Sequence, residues 1–427
     1  MKRKTIASIT IIYIIVAALS FFAGCSPASV SPEDTVTIVD KGTHFEVIID
    51  YSSGKTHREI GEELGDKILQ AVPNYEALVD SYLLDVIGNW YGRCIDRAKK
   101  IKPQINQDYI DEIEGIASRF SGADENKPGD GKISVDECYV LNLIGDVARG
   151  TQCSALGVYG DRSKTGETMS ARILDWPGGS ENQIAQIQSV TTYKNGDKSV
   201  CSISYLGFVG IITGFNDNNV FAAILDSSSG GTYSAESKRS YPLDIRYALE
   251  NYETIEGVGE YLASSERKYA FSHLVFLCDE DVAIVLENNM GSISNSGIRD
   301  FRYCDSVLND GIEWGISDSL CCVNSFLLDG NYDNHKFSLH NTKRWENMKR
   351  ELTSKGDKVS LSELKEVATY YSGSANAREN DGDIYNQLTQ QIVIFEPGKM
   401  KLEVFFRPKN DVLPDEPDFE KIKVDFD

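Results

Sequence analysis

The stretch RGTQCSALGVYGDRSKTGETMSARILDWP, residues 149–177, decides how this chain is read. Apolar runs flank the turn-forming DRSKTG, so the segment reads as a β-hairpin. A cysteine opens the first strand. Arg172 and Asp175 lie near the end of the second, and an antiparallel return brings them back to the level of Cys153. A thiol is a good nucleophile only as the thiolate, so a catalytic cysteine needs a base and a cationic neighbour. Were the chain cut between Gln152 and Cys153, the freed α-amine, with an ordinary pKa of about 8, would sit on the same residue as the thiol and serve as that base. Residues three apart point to opposite faces of a regular strand. Arg172 and Asp175 therefore both face the thiol only if the strand ends or bulges near Leu174, and Trp176-Pro177 makes such a departure expected.

The 427 residues are 41% hydrophobic and 10% aromatic, enough for the core of one large domain or two ordinary ones. A net charge of −22 leaves no basic stripe for phosphates, so nucleic acid is excluded as a partner. Lys2, Arg3 and Lys4 precede an apolar run that ends in Ala23-Gly24-Cys25, the pattern of an export segment. It resembles a bacterial lipobox, which predicts a lipoprotein-type signal peptide over 1–25, lipidation of Cys25 and a body held at the outer side of the cell membrane. An uncleaved anchor of about 20 apolar residues and a secretory cleavage are the alternatives. Eight further cysteines show no regular spacing and read mostly as small buried residues. Without CxxC or HExxH, and with His44, His57, His273, His335 and His340 scattered, a zinc site has little support.

Residues 35–51 read as two short strands around DKGT, and SGKTHREIGEELGDKILQAV opens a helical pattern that runs, with breaks, to about 150. The predicted division is a mostly helical propeptide or small subunit at 26–152 and a catalytic large subunit at 153–427. In the latter, KNGDK, CDEDVA and EPGKMK separate apolar runs, with helical patterns near 237–265 and 359–372. The fold class is α+β, antiparallel sheets with helices packed on them. Within the helical part, DENKPGDGKISVDE half-fits a calcium loop. Asp124, Asn126, Asp130 and Glu137 are the candidate ligands for a structural Ca²⁺, against the alternative of a solvated acidic turn.

The segment from Gln152 to Pro177 is similar to the start of the mature subunit in the N-terminal-nucleophile cysteine hydrolases: choloylglycine hydrolases and penicillin V acylases, isopenicillin N acyltransferases, acid ceramidase and N-acylethanolamine acid amidase. GFVGIITGFNDNNVFAAILD (207–226) resembles the family's Gly-rich strand, CCVNSFLLDGNYDNHKFSLHNTKRWENM (321–348) its Asn segment and helix arginine, and SGKTHREIGEELGDKI its upstream glycine motif. The resemblance implies a four-layer αββα sandwich, autoproteolysis between Gln152 and Cys153, and a site of Cys153, Arg172, Asp175, Asn216, Asn324 and Arg344. Asn324 and Asn216 would bind the oxyanion. It also implies fragments that stay associated, no required cofactor, and hydrolysis of a linear C–N amide in a small N-acyl substrate, or acyl transfer from it. Ser154-Ala155, Ile173 and Ser325 replace the usual Thr-Ser, Asn and His. These departures keep open an inactive cell-surface binding module on the same fold. A third reading is a Cys/His peptidase using His273 or His335.

Overall fold

The computed structural model describes residues 35–148, 152–228, 231–292, 295–373 and 382–426. The export segment, Cys25 and residues 26–34 lie outside the described residues. From Thr35 onward the chain forms one compact unit. Two sheets dominate it. The larger runs in the order β1 (Val36–Asp40), β2 (Phe45–Asp50), β5 (Gln188–Asn195), β6 (Lys198–Tyr205), β7 (Thr213–Asn216), β8 (Phe221–Asp226), β9 (His273–Cys278), β10 (Ala283–Asn288) and β11 (Arg299–Arg302). The smaller runs β12 (Ser319–Val323), β3 (Gln152–Val158), β4 (Met169–Asp175), β13 (Thr389–Glu396), β14 (Lys401–Phe406) and β15 (Glu420–Ile422). KNGDK, CDEDVA and EPGKMK make the β5–β6, β9–β10 and β13–β14 turns.

Period-two alternation gives each sheet two apolar faces, and the layers follow from what covers them. Cys153, Ala155 and Leu174 of the smaller sheet meet Phe221, Ala223, Leu225 and Phe276 of the larger one in a core between the sheets. There Phe215 stacks on Phe395 with ring centroids 4.3 Å apart. Helices α7 (Tyr241–Asn251) and α8 (Ile255–Ala263) cover the other face of the larger sheet, burying Ile245, Leu249 and Val258 against Ala222 and Val275. Helices α9 (Leu339–Ser354) and α10 (Leu361–Ala368) cover the smaller sheet, where Trp345, Met348 and Leu364 bury against Leu156, Ile173 and Ile392. Each such side chain contributes about 1.5–3 kcal/mol by leaving water. The result is an αββα sandwich.

Two features depart from the sequence reading. The larger sheet is not wholly antiparallel, because β2 pairs parallel with β5. A parallel pair needs a long crossover, and here it contains helices α1 (His57–Ala71), α2 (Tyr75–Ile87), α3 (Tyr91–Ile101), α4 (Gln107–Ala117), α5 (Val135–Asn142) and α6 (Ile144–Val147) as well as the β3–β4 hairpin. The stretch before residue 152 is therefore built into the sandwich through β1 and β2. Second, the glycines of EIGEELG have a packing role: a Cβ on Gly61 would lie 2.4 Å from the Glu112 carbonyl oxygen, and one on Gly115 2.4 Å from that of Arg58. Helices α1 and α4 thus touch backbone to backbone, which only glycine permits. The eight described cysteines are all free, and every one but Cys304 is buried. Among the described residues no helix is long and apolar enough to cross a membrane.

Candidate active site

Pairing within the smaller sheet places Cys153. Its register partner on β4 is Leu174, with Ala155 opposite Arg172 and Gln152 opposite Asp175. On the other side β12 pairs Val323 with Ser154, so Asn324, one residue on, arrives beside Cys153. The Cys153 N–H donates to Asn324 Oδ1 at 2.7 Å. Arg344, from α9 and fully buried, donates through Nη1 to the Cys153 carbonyl (2.7 Å) and Ser154 Oγ (2.9 Å), and through Nη2 to Asn324 Oδ1 and Asn341 Oδ1 (2.8 Å each). Two donors converge on Asn324 Oδ1, which fixes its amide, and Nδ2 then donates to the Asp226 carbonyl at 2.8 Å. In this intact chain Asn324 therefore grips the Cys153 nitrogen and does not present a free donor for an oxyanion.

Arg172 and Asp175 keep to opposite faces of β4. The strand stays regular; the expected irregularity falls instead on its partner β13, between Thr389 and Gln391. On the outer, helix-covered face the Asp175 carboxylate accepts from Thr389 Oγ1 (2.8 Å) and Asn386 Nδ2 (3.0 Å). Burial raises its pKa to about 6, opposed by Arg344, by those two donors and by Arg172.

On the inner face Arg172 Nη2 lies 3.4 Å from Cys153 Sγ and donates to the Ile224 carbonyl at 3.0 Å. Cys153 and Arg172 line a cavity of about 60 Å³, walled also by Leu174, Ile187, Phe208 and Ile224, and by Tyr82, Leu141 and Ile144 from the stretch before residue 152. Burial pushes the Cys153 thiol pKa up; Arg172 opposes this, and Asp175 and Asp226 add to it. Buried Cys138 is pushed up to about 12 by burial alone, with no charged neighbour. Cys321 and Cys322 also have charged neighbours; what sets Cys153 apart is the guanidinium nitrogen 3.4 Å from its sulfur.

The other candidates are placed elsewhere. Asn216 is not brought to Cys153: its Nδ2 donates to the Leu249 and Tyr252 carbonyls, and its Oδ1 accepts from the Asn218 and Val220 N–H groups, so it ties the β7–β8 turn to the end of α7. Nor do Asp124, Asn126, Asp130 and Glu137 gather around an ion. Glu137 accepts from the Ser134 N–H and from the Tyr91 hydroxyl, closing a capping box on α5, and Asn126 bonds Asp136 and Ser134. Among the described residues no cluster of three or more His, Cys, Asp or Glu is placed to hold a metal. His273 pairs with Asn288 and stacks on Tyr241, and His335 pairs with Ser325, so both imidazoles are engaged away from the thiol.

Several residues were missed in the sequence. Asn386 and Thr389 hold Asp175, Asn341 orients Asn324 and Arg344, and Tyr205 and Asp226 line the cavity. Asn341 carried a signal, one turn before Arg344 on the same helix face. The rest come from strands distant in sequence and carried none.

No family model matches the chain, and no curated protein matches it. Among solved structures it is similar to the Caenorhabditis elegans N-acylethanolamine-hydrolyzing acid amidase ortholog, at 15% identity and TM-score 0.41 over 58% of this chain and 93% of that one. A mutant conjugated bile acid hydrolase from Clostridium perfringens (14%, 0.36, 64% and 97%) and penicillin V acylase from Agrobacterium tumefaciens (12%, 0.33, 60% and 83%) are also similar. The chain has the two-sheet αββα architecture that its resemblance to the N-terminal-nucleophile cysteine hydrolases implies, and it brings Arg172, Asn324 and Arg344 into contact with Cys153.

Proposed function

We propose that this protein is a self-processing amidohydrolase, or an acyltransferase using the same acyl-enzyme, with Cys153 as N-terminal nucleophile. The observation that carries the reading is the convergence of polar side chains on one buried residue: Asn324 on its nitrogen, Arg344 on its carbonyl and Arg172 at its sulfur. A packing cysteine requires none of these. In the intact chain the Cys153 nitrogen is an amide and cannot act as a base. In the first step Sγ attacks the Gln152 carbonyl, a C–S bond replaces the C–N bond, and water then hydrolyses the thioester, leaving a carboxylate on Gln152 and a free amine on Cys153. That amine, held by Asn324 on the outer face near Asp175, takes the thiol proton as Sγ attacks a substrate amide. It returns the proton to the departing nitrogen, and water or another acceptor releases the acyl group.

Arg172 and Tyr205, which line the cavity and carry donors without a partner, are assigned to the oxyanion in place of Asn216. Strands β1 and β2, paired into the larger sheet, would keep the fragments associated after the cut. The export pattern ending at Cys25 supports a lipid-anchored, extracytoplasmic enzyme, and the steps above call for no cofactor. Intact mass and N-terminal sequencing of purified wild type and Cys153→Ala test the reading. Wild type should yield a chain beginning Cys-Ser-Ala and react at Cys153 with a thiol-directed acylating probe, whereas Cys153→Ala stays whole. Full amide hydrolysis by an uncut chain would overturn the proposal. A cut chain inert to the probe would favour the binding module.

A further inference from the structure

Asn324, which accepts from the Cys153 N–H, stands on a stretch that has left its sheet. Strand β12 ends at Val323, so the amides that follow need partners other than a ladder. They converge on one carboxylate. Glu287 of β10 accepts from the Leu327 N–H (2.8 Å), the Leu328 N–H (3.2 Å) and Asn331 Nδ2 (2.8 Å). On the other flank of Asn324, Arg302 of β11 donates through Nη2 to the Cys321 carbonyl at 3.0 Å. The two charges also pair with each other, Arg302 Nε to Glu287 Oε1 at 3.0 Å. Glu287 lies opposite Asp300 across the ladder, and Arg302, two residues further on, shares its face. Both are buried, at 0% and 1% exposure. A buried ion pair is a weak source of stability; the bonds that this one makes go to the backbone on both sides of Asn324.

Resting on the hydrolase reading, we propose that Glu287 and Arg302 are positioning residues: by gripping the backbone on both flanks of Asn324, they set where its amide oxygen meets the Cys153 nitrogen. The pair stands on the larger sheet and Cys153 on the smaller one, so it transmits the fit between the sheets to the nucleophile. In the cut chain that nitrogen is an amine, and an acceptor within hydrogen-bond distance favours its charged form. With the acceptor displaced, the amine gives up its proton at lower pH. The charged groups around Cys153, namely Arg172, Asp175, Asp226 and Arg344, are left in place by the variants that test this.

The test follows acylation of Cys153 by p-nitrophenyl acetate against pH in cut enzyme, since an acetyl group makes no demand on the acyl pocket. The acid limb of that profile reports the amine. Glu287→Gln sets an amide NH₂ among the donors and leaves Arg302 unpaired; the limb should move down by about one pH unit, about a tenfold change in proton affinity. Lost stability alone would not move it. Arg302→Lys changes no charge, so it cannot act on the amine through space, but a single ammonium does not reproduce the fork that spans Glu287 and the Cys321 carbonyl. Its limb should move in the same direction by a smaller amount. An unmoved limb in either variant overturns the assignment, and Arg302→Lys decides alone if Glu287→Gln does not fold. Wild type that is cut and acylated, with variants that match it, removes this assignment only. Wild type that stays whole or resists the probe removes the hydrolase reading and the assignment with it.

Discussion

The two faces of β4 meet the same cysteine and are built in opposite ways. On the outer face each Asp175 oxygen has its donor, Asn324 Oδ1 has two, and Arg344 makes four hydrogen bonds, with only its Nε unmatched. On the inner face Arg172 keeps two donors unmatched, and the Tyr205 hydroxyl and one Asp226 oxygen are unmatched as well. A buried group with complete hydrogen bonding fixes its neighbours, whereas an incomplete one is a standing cost of about 1–3 kcal/mol that a ligand can relieve. The outer face holds the backbone of Cys153 in place, and on the proposed function the inner face is where its sulfur would meet a reactant.

Arg172 should break this comparison most visibly. Arg172→Gln removes the cation beside Sγ and two donors facing the reactant, so kcat of processed enzyme should fall by about 10²–10³-fold. Removing a buried, half-matched charge should leave urea stability level or raise it. Lost stability with unchanged kcat would make the inner face structural like the outer one.

Asp175 gives the next effect, in pH. Its pKa is about 6 in the folded chain against an ordinary value near 3.8, so the folded state binds the proton more tightly than the unfolded one. Its contribution is present below pH of about 4 and is lost as pH rises through about 6, a fall on the order of 2–3 kcal/mol. Urea melts of the Cys153→Ala precursor at pH 4.5 and 7.5 should show that loss. Asp175→Asn in the same background should flatten it, and equal slopes would reject the raised pKa.

A smaller, paired test asks whether satisfied and unsatisfied groups differ as argued. Thr389→Val leaves one Asp175 oxygen without its donor and should cost about 1–3 kcal/mol. Tyr205→Phe deletes an unmatched hydroxyl and should change stability by less than about 0.5 kcal/mol, while lowering kcat severalfold. Equal stability losses would erase the distinction between the faces.

How much of this was legible follows the distance over which each contact is made. The hairpin brings Cys153, Arg172 and Asp175 together by pairing between neighbours, so the turn DRSKTG and the alternation around it sufficed. Asn324 stood out as an amide between Val323 and Phe326. Asn386, Thr389, Tyr205 and Asp226 reach Cys153 only through β13 and the stacking of the larger sheet, and nothing local marks those pairings. Asn216 and Asp226 show the error in detail. Both belong to GFNDNNVFAAILD, but β8 separates them, and at ~3.3 Å per residue the strand carries Asp226 about 20 Å from the turn that holds Asn216. The resemblance located the segment, and strand geometry selected the other end of it. The α1–α4 contact was legible only as a glycine pattern, because its cause, the approach of two backbones, lies in the partner helix.

The acidic loop before α5 is the smallest test, because it extends the rule for satisfied groups to a site where a ligand was expected. Its organising carboxylate is one the calcium pattern does not contain: Asp80 of α2 accepts from the N–H groups of Gly129 (2.8 Å) and Gly131 (2.6 Å), both glycines in left-handed backbone. Asp136 pairs with Lys99 at 2.9 Å, Asp130 accepts from the Lys132 N–H at 3.0 Å, and both oxygens of Glu137 are engaged. A calcium ion would have to displace these bonds before making its own. An extracellular-type site with a Kd of about 10⁻³ M would stabilise the fold by about 1.4 kcal/mol in about 10 mM Ca²⁺. The expectation is instead that melts of the Cys153→Ala precursor in millimolar Ca²⁺ and in chelator coincide, and that Asp130→Ala shifts either by less than about 0.5 kcal/mol. A calcium-dependent gain that Asp130→Ala abolishes would show that carboxylates closed by their own hydrogen bonds still recruit an ion, and the inference drawn from satisfied groups on the outer face of β4 would weaken with it.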